Sequence, residues 1–121
     1  MVTMLDYIHE EKTVLSAILE KNDSSLHVSY QNMQHVLILA TGSSYNACLA
    51  AKPALESYGD ITVDIQEPYH FNHYGKLSEE VDTVIAVSQS GKSASTVDAI
   101  RKIRSSRRRT IALTGDDQSP I

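Results

Sequence analysis

Residues 83–97, TVIAVSQSGKSASTV, decide the fold of this chain. An apolar, β-branched run ends at Val87, hydroxyl, amide and glycine residues follow, and a helix-like segment begins at Ser93. This order is typical of a buried strand, a polar loop and a helix whose first backbone N–H groups face the loop. Those N–H groups and the positive end of the helix dipole favour an anion there. The stretch therefore predicts an α/β fold with an anion-binding loop.

A second loop of the same kind occurs earlier in the chain. Residues 36–40, VLILA, form another apolar run, and residues 41–44, TGSS, follow it directly. Hydroxyl and amide groups can donate hydrogen bonds to phosphate oxygens, and glycine allows close backbone approach or a positive φ angle. Two such loops in one small domain suggest a site for a phosphorylated small molecule. The predicted binding residues are Gly42, Ser43, Ser44, Ser88, Gln89, Ser90, Gly91 and Ser93, and Lys92 could add positive charge.

The rest of the pattern alternates strands and helices, which indicates a parallel sheet covered on both faces. Before it, an amphipathic helix is predicted over residues 3–21, with Thr3 as its cap and its end at residues 22–25. Pro53 lies inside the helix predicted over residues 44–58. It predicts either a kink in that helix or two helical pieces joined at Lys52. The predicted strands are residues 36–40, 61–65, 81–87 and 110–113. The predicted helices are residues 44–58, ended by Gly59, and 93–104. Residues 67–77 are predicted to be irregular or to form a short helix.

A four-stranded doubly wound sheet commonly takes the order 2-1-3-4, which makes strands 1 and 3 neighbours. Ligands bind such sheets at the carboxyl ends of these strands, where the following helices leave toward opposite faces. The two hydroxyl-rich loops follow strands 1 and 3, so the chemistry of the loops and the expected topology select the same place. The structural alternative is that Ser44, Ser90 and Ser93 only cap helices.

The two loops also resemble the motifs of the SIS (sugar isomerase) domain family. Residues 41–47, TGSSYNA, are similar to its G-T-S-x-x-A turn, and residues 88–96, SQSGKSAST, are similar to its S-Q-S-G-E-T-x-D-T loop. The isomerase domains of glucosamine-6-phosphate synthase and of fructosamine deglycases resemble this chain, and so does the helix that precedes the first such domain. The resemblance covers nearly the whole chain.

This resemblance implies a three-layer, flavodoxin-like domain that binds a phosphosugar, with phosphate contacts on Ser44, Ser88, Gln89, Ser90 and Ser93. Ser43 and Ser93 stand where the family has threonine, Lys92 replaces a glutamate, and Ser95 occupies the place of the family aspartate. We expect an N-terminal helix and linker at residues 1–30 and an SIS domain at 31–121 that stops before its fifth strand. The family's catalytic groups lie in a second domain or a partner subunit, so no catalytic residue is assigned.

Two functional hypotheses remain open. One is an enzyme-derived domain for a hexose or hexosamine 6-phosphate, from a family that performs aldose–ketose isomerisation or amine release in amino sugar metabolism without a metal or redox cofactor. The other is a noncatalytic sensor or binding module. We expect a sugar phosphate as ligand, and a homo-oligomer or a second SIS domain as partner, because an apolar edge strand at residues 110–113 invites pairing.

Composition and short sequence signals argue against several classes of protein. The net charge of −4 argues against a general nucleic-acid binder, and no apolar run approaches the roughly 20 residues of a membrane span. No signal peptide is recognisable, and the single cysteine, Cys48, cannot form an internal disulfide, which fits the cytoplasm. The P-loop signature is incomplete, because Ala86 stands where it needs glycine.

Two further groups of residues have alternative interpretations that stay open. His70 and His73 could bind a metal on one helical face, rim the crevice or, for His70, take part in ring-opening acid–base chemistry. His35 is interpreted as a surface residue. Residues 101–109 contain six cations, which either offset a helix dipole or contact nucleic acid.

Overall fold

The computed structural model describes residues 1–21 and 32–121, and the chain divides into two compact units, residues 1–30 and 31–121. The described part of the first unit is helix α1, Met4–Glu20. Thr3 caps it as predicted: Asp6 N–H donates to the Thr3 hydroxyl, and Thr3 N–H donates to the Asp6 carboxylate at 2.7 Å. The hydrogen bond from the Thr3 hydroxyl, with that from its N–H, lowers the pKa of Asp6. The predicted helix end at residues 22–25 lies outside the described residues.

The second unit is a parallel α/β domain. Its four strands are all parallel and lie in the order β2-β1-β3-β4, which confirms the predicted fold class and topology. The elements are β1 His35–Ala40, α2 Gly42–Gly59, β2 Thr62–Gln66, α3 Pro68–Tyr74, β3 Thr83–Ser88, α4 Ala94–Ile103 and β4 Arg109–Thr114.

Alternate residues of the strands face opposite layers of helices, as the pleat requires. Leu37 and Leu39 of β1 pack with Phe71 of α3 and Ile103 of α4 on one face. Val36, Ile38 and Ala40 pack on the other face, where the Cys48 side chain of α2 covers them. The helices that follow β1 and β3 therefore lie on opposite faces of the sheet, as the predicted crevice requires.

Helix α2 differs from its prediction. It begins at Gly42, continues through Pro53 as one helix and includes Gly59, so the predicted division at Lys52 is wrong. Pro53 is exposed, and a proline on the outer face of a helix removes one backbone hydrogen bond without a buried group losing its partner. The chain turns at Asp60, which takes a left-handed conformation with φ of +50°.

The uncertain segment at residues 67–77 contains the short helix α3. Pro68 opens the helix at a position where its missing N–H leaves no gap in the hydrogen bonding. Gly75 closes it by donating its N–H to the carbonyls of His70 and Phe71. A side chain at position 75 would come within 2.7 Å of the Phe71 Cα, so the tight closure requires glycine.

The amino ends of the strands form an edge that we call the amino edge, and Asp82 is its centre. Its carboxylate accepts hydrogen bonds from the N–H groups of Gln34 (2.9 Å) and His35 (2.7 Å) and from the Thr83 hydroxyl (2.7 Å). Desolvation raises the pKa of Asp82, but these three hydrogen bonds and the His35 ring together outweigh it, so the pKa lies below its ordinary value. The carboxylate thus ties β1 to the start of β3.

His35 is not the simple surface residue that the sequence suggested. Its ring is largely covered, and Nε2 lies 2.9 Å from the Asp64 carboxylate of β2 while Nδ1 lies 3.8 Å from Glu80. Arg108 donates to the carbonyls of Val81 and Ser78, at 2.8 and 2.9 Å. Side chains of the amino edge therefore bind backbone groups and neighbouring side chains of the domain, and these contacts stabilise the fold.

Strand β4 is the outer strand on its side of the described sheet, and several of its side chains are open to solvent. Leu113 is 61% exposed, and Ala112 and Thr110 are also exposed. None of the helices in the described residues combines the length and the apolar character that crossing a membrane requires.

Candidate functional site

The two hydroxyl-rich loops meet at the carboxyl ends of neighbouring strands. Ala40, the last residue of β1, pairs with Val87 of β3, so Thr41 and Ser88 follow at the same level of the sheet. We call these loops, residues 41–44 and 88–93, the serine cradle. It contains every predicted binding residue: Gly42, Ser43 and Ser44 from the β1 side, and Ser88, Gln89, Ser90, Gly91 and Ser93 from the β3 side.

The β3 side of the serine cradle is a tight turn built on Ser88 and Gly91. The Ser88 side chain is buried, and its hydroxyl oxygen accepts the Gly91 N–H at 3.1 Å, as does its carbonyl. Since the oxygen is the acceptor, the hydroxyl hydrogen of Ser88 can still be donated to a ligand. Gly91 has φ of +65°, which a residue with a side chain rarely adopts.

The helix-capping alternative does not describe these serines. Ser93 is the N-cap residue of α4, but its side chain makes no cap hydrogen bond and instead accepts from the Thr96 hydroxyl at 3.1 Å. Ser44 lies inside the first turn of α2, where Thr41 is the N-cap residue and also makes no side-chain cap bond. Ser90 accepts the Lys92 N–H within its own turn, at 3.2 Å. The side chains of Thr41 and Ser93 therefore do not cap the two helices that begin at the serine cradle.

The β1 side of the serine cradle is more open than the β3 side. Gly42 has φ of +60°, close to that of Gly91, but no atom lies within 4 Å of where a side chain would begin. Ser43 is exposed and Ser44 is partly buried. The space beside Gly42, the first residue of α2, is therefore open, and an anion could fit there.

A third segment, which the sequence analysis did not identify, supports the β3 side. Gly115 N–H donates to the Gln89 carbonyl at 3.0 Å, just after the end of β4. A side chain on Gly91 would overlap the Ser119 hydroxyl and come within 2.8 Å of the Thr114 hydroxyl oxygen. The signal was present, since residues 114–115, TG, repeat the polar strand end of residues 41–42. The chain after β4 therefore holds the turn of the serine cradle in place.

An open cavity of about 470 Å³ lies beside the serine cradle, at the carboxyl end of β2. We call it the β2 cavity. One of its lining residues is Gln66, whose buried Oε1 atom has no hydrogen-bond partner among the described residues. The sequence analysis singled out His70 but not Tyr45 or Gln66. The lining residues are Tyr45, Ile65, Gln66, Glu67, His70 and Gly75.

The two histidines of α3 have different neighbours. The His73 ring packs on Tyr69 with centroids 4.3 Å apart, and the His70 ring lies 5.4 Å from that of Tyr74. Within residues 1–21 and 32–121, no three histidine, cysteine, aspartate or glutamate side chains come together as a metal site would need. His70 therefore remains a lining residue of the β2 cavity.

Cys48 and the cations of residues 101–109 lie outside the serine cradle. Burial raises the pKa of the Cys48 thiol, which disfavours the thiolate form. Lys102 donates to the Asn72 carbonyl at 3.3 Å and stands over the Phe71 ring, and Arg101 lies 3.9 Å from Asp98. Several of these cations thus have structural partners within the domain.

Comparison with known proteins gives one consistent answer. Residues 29–121 match the SIS domain family. The isomerizing glutamine–fructose-6-phosphate aminotransferase of Halobacterium salinarum is 32% identical over 122 aligned positions, which cover 92% of this chain and 20% of that protein. The chain spans a fifth or less of the length of the curated relatives it matches most strongly.

Two solved structures have the same fold. One is the C-terminal domain of glucosamine–fructose-6-phosphate aminotransferase from Francisella tularensis, with a TM-score of 0.79, 21% identity, and coverage of 97% of this chain and 35% of that one. The other is a proposed phosphosugar isomerase from Clostridium difficile 630, with a TM-score of 0.82, 25% identity, and coverage of 98% and 34%.

Proposed function

This chain belongs to the SIS domain family, and from that premise we propose that it binds the phosphate group of a hexose or hexosamine 6-phosphate in the serine cradle. The observation that carries the proposal is the pairing of β1 with β3, which brings both loops to one edge of the sheet. Their hydroxyls make no helix-cap hydrogen bonds at Thr41 and Ser93, so they can turn to a dianion.

The test is titration calorimetry of the chain with fructose 6-phosphate, glucose 6-phosphate and unphosphorylated fructose. Both phosphorylated sugars should bind, and fructose should not. Ser90→Ala removes one hydrogen bond to a charged group, so the dissociation constant should rise by about 10- to 100-fold. Ser57→Ala, an exposed serine of α2, is the matched control and should change nothing. Equal binding of fructose and its phosphate, or an unaltered Ser90→Ala variant, would contradict the proposal.

We propose binding without turnover as the activity of this chain. Isomerisation needs a general acid or base within hydrogen-bond reach of the sugar. The serine cradle offers hydroxyls, one amide and Lys92, but neither of its loops contains a carboxylate or an imidazole. Incubation with fructose 6-phosphate should therefore yield no glucose 6-phosphate above the background rate. Turnover that is lost in Glu67→Gln or His70→Ala would overturn this proposal and assign the chemistry to the β2 cavity.

The proposed partner is a second SIS domain, in a copy of this chain or elsewhere, and the proposed location is the cytoplasm, where a free thiol such as Cys48 persists. The partner proposal rests on β4, an outer strand with exposed apolar side chains. Sedimentation at high concentration should show self-association, and Leu113→Lys should weaken it. A wild-type chain that remains monomeric would contradict self-pairing.

A further inference from the structure

Helix α1 carries a continuous stripe of exposed apolar side chains. Successive residues of an α-helix are turned by about 100°, so six of its apolar residues fall within an arc of about 140°. Each of the six is between 54% and 76% exposed, and no residue of α1 is buried. An exposed apolar surface of this kind marks a place where another molecule binds. The six residues are Met4, Leu5, Ile8, Leu15, Ile18 and Leu19.

The stripe repeats every seven residues, which is the period found in helices that pair side by side. Glu11 and Lys12 occupy the middle of this repeat, where apolar residues would otherwise be expected, and both are exposed. Neither makes an ion pair with any residue that the structure describes. One side of the stripe is Met4, Glu11 and Ile18, the other side is Leu5, Lys12 and Leu19, and its middle is Ile8 and Leu15.

The charges of α1 discriminate between possible partners. The side of the helix opposite the stripe carries Asp6, Glu10 and Glu20, and the only lysine or arginine of α1 is Lys12, within the stripe. Helices that lie on membranes carry lysine and arginine on the polar side, because the lipid surface is anionic, so these charges argue against a lipid surface. A partner that fits the stripe must instead offer a cation to Glu11 and an anion to Lys12, within an apolar surface.

We propose that the stripe of α1 pairs in parallel with the α1 stripe of a second copy of this chain. A twofold axis along two parallel helices places the Glu11 side of each helix against the Lys12 side of the other, so two ion pairs form across the contact. Ile8 and Leu15 then meet the same residues of the second copy. Antiparallel helices would instead bring Glu11 beside Glu11 and Lys12 beside Lys12, and like charges repel. This contact is separate from the serine cradle and from β4.

The experiment is sedimentation of the full chain carrying Leu113→Lys, in which pairing through β4 is weakened and a dimer should persist. Glu11→Lys and Lys12→Glu each bring like charges together, so each should raise the dissociation constant of that dimer by about tenfold or more. The double variant Glu11→Lys/Lys12→Glu exchanges the two charges and should restore the constant to within about threefold. Glu10→Lys is the matched control, because it changes the net charge equally on the opposite side of α1 and should have little effect.

A mixture of the two single variants provides a second measurement. It should associate as well as the starting chain, because each variant supplies the charges that the other lacks, and this recovery also shows that both variants are folded. A mixture that associates more tightly than the starting chain would indicate antiparallel helices and would overturn the inference. A Leu113→Lys chain that stays monomeric, or single variants that associate like it, would overturn it too, because something other than a second α1 would then cover the stripe.

Discussion

Both the carboxyl edge of the sheet, which carries the serine cradle, and the amino edge contain polar side chains, but the two sets differ in their hydrogen-bond partners. At the amino edge, one carboxylate, that of Asp82, accepts three hydrogen bonds, and His35 and Arg108 hold neighbouring groups. At the carboxyl edge, Thr41 and Ser93 are N-cap residues whose side chains make no cap bond. The polar groups of the amino edge bind other parts of the domain, whereas the hydroxyls of Thr41 and Ser93 are not used to cap their helices. Substitutions at the two edges should therefore separate stability from binding.

The largest effect should come from the one part of the carboxyl edge that is closely packed. Gly91→Ala forces a side chain into φ of +65° and against Ser119, so the free energy of unfolding should fall by about 3 kcal/mol. Gly42→Ala is the matched control, since its φ of +60° carries the strain without the contact, and it should lose only about 1 kcal/mol. Urea denaturation measures both. Equal losses would mean that the segment after β4 does not support the turn.

Breaking the amino edge should lower stability and spare binding. Asp82→Ala leaves two backbone N–H groups and the Thr83 hydroxyl without their acceptor, so we expect a loss of about 2 kcal/mol in urea denaturation. The dissociation constant for fructose 6-phosphate should stay within about twofold of wild type. Asp98→Ala, which removes an exposed ion pair, should have almost no effect on stability. A large loss of affinity in Asp82→Ala would end the separation of the two edges.

Acid should weaken the amino edge in a defined direction. The pKa of Asp82 is lower in the folded chain than its ordinary value of about 4, so its contribution to stability is complete above that value. The contribution is lost as the pH falls through the lower folded value, where the carboxylate takes up a proton. The difference in unfolding free energy between wild type and Asp82→Asn should therefore shrink below about pH 4. A difference that is constant from pH 6 to pH 2 would contradict this assignment.

Ser90→Ala, which should weaken ligand binding strongly, should have the smallest effect on the free energy of unfolding. Ser90→Ala removes only a hydroxyl that accepts from Lys92 in an exposed turn, so the free energy of unfolding should change by no more than about 0.5 kcal/mol. Thermal unfolding without ligand measures this change. A loss comparable to that of Asp82→Ala would show that the serine supports the turn, and the contrast between the edges would then disappear.

The order of elements and the position of the serine cradle could be predicted because they depend on local patterns. Apolar β-branched runs predict the strands, and polar loops with glycine predict where they end, so the 2-1-3-4 topology follows from the usual rules for such sheets. The extent of α2 could not be predicted, because propensity penalises Pro53 whereas exposure of that residue makes it tolerable. Whether residues 67–77 form a helix also depended on packing, here the close contact of Gly75 with Phe71.

Contacts between distant parts of the chain escaped the sequence analysis for a related reason. The Gln34 and His35 N–H groups that bind Asp82 lie 48 and 47 positions away along the chain. The contact of position 91 with Ser119 depends on the path of the backbone after β4. The His35 ring seemed a surface group because Asp64 and Glu80 have no pattern that links them to it. The β2 cavity likewise joins residues from α2, β2 and α3 that share no motif.

The pairing of β1 with β3 also determines the stage of folding at which the serine cradle forms. Val36 pairs with Thr83, so the chain must close a loop of 47 residues before the two turns lie side by side. Closing such a loop is a slow, entropically opposed step, and neither turn alone is a cradle. A sugar phosphate should therefore bind the native state and not a partly folded chain. It should then slow unfolding and leave the refolding rate unchanged.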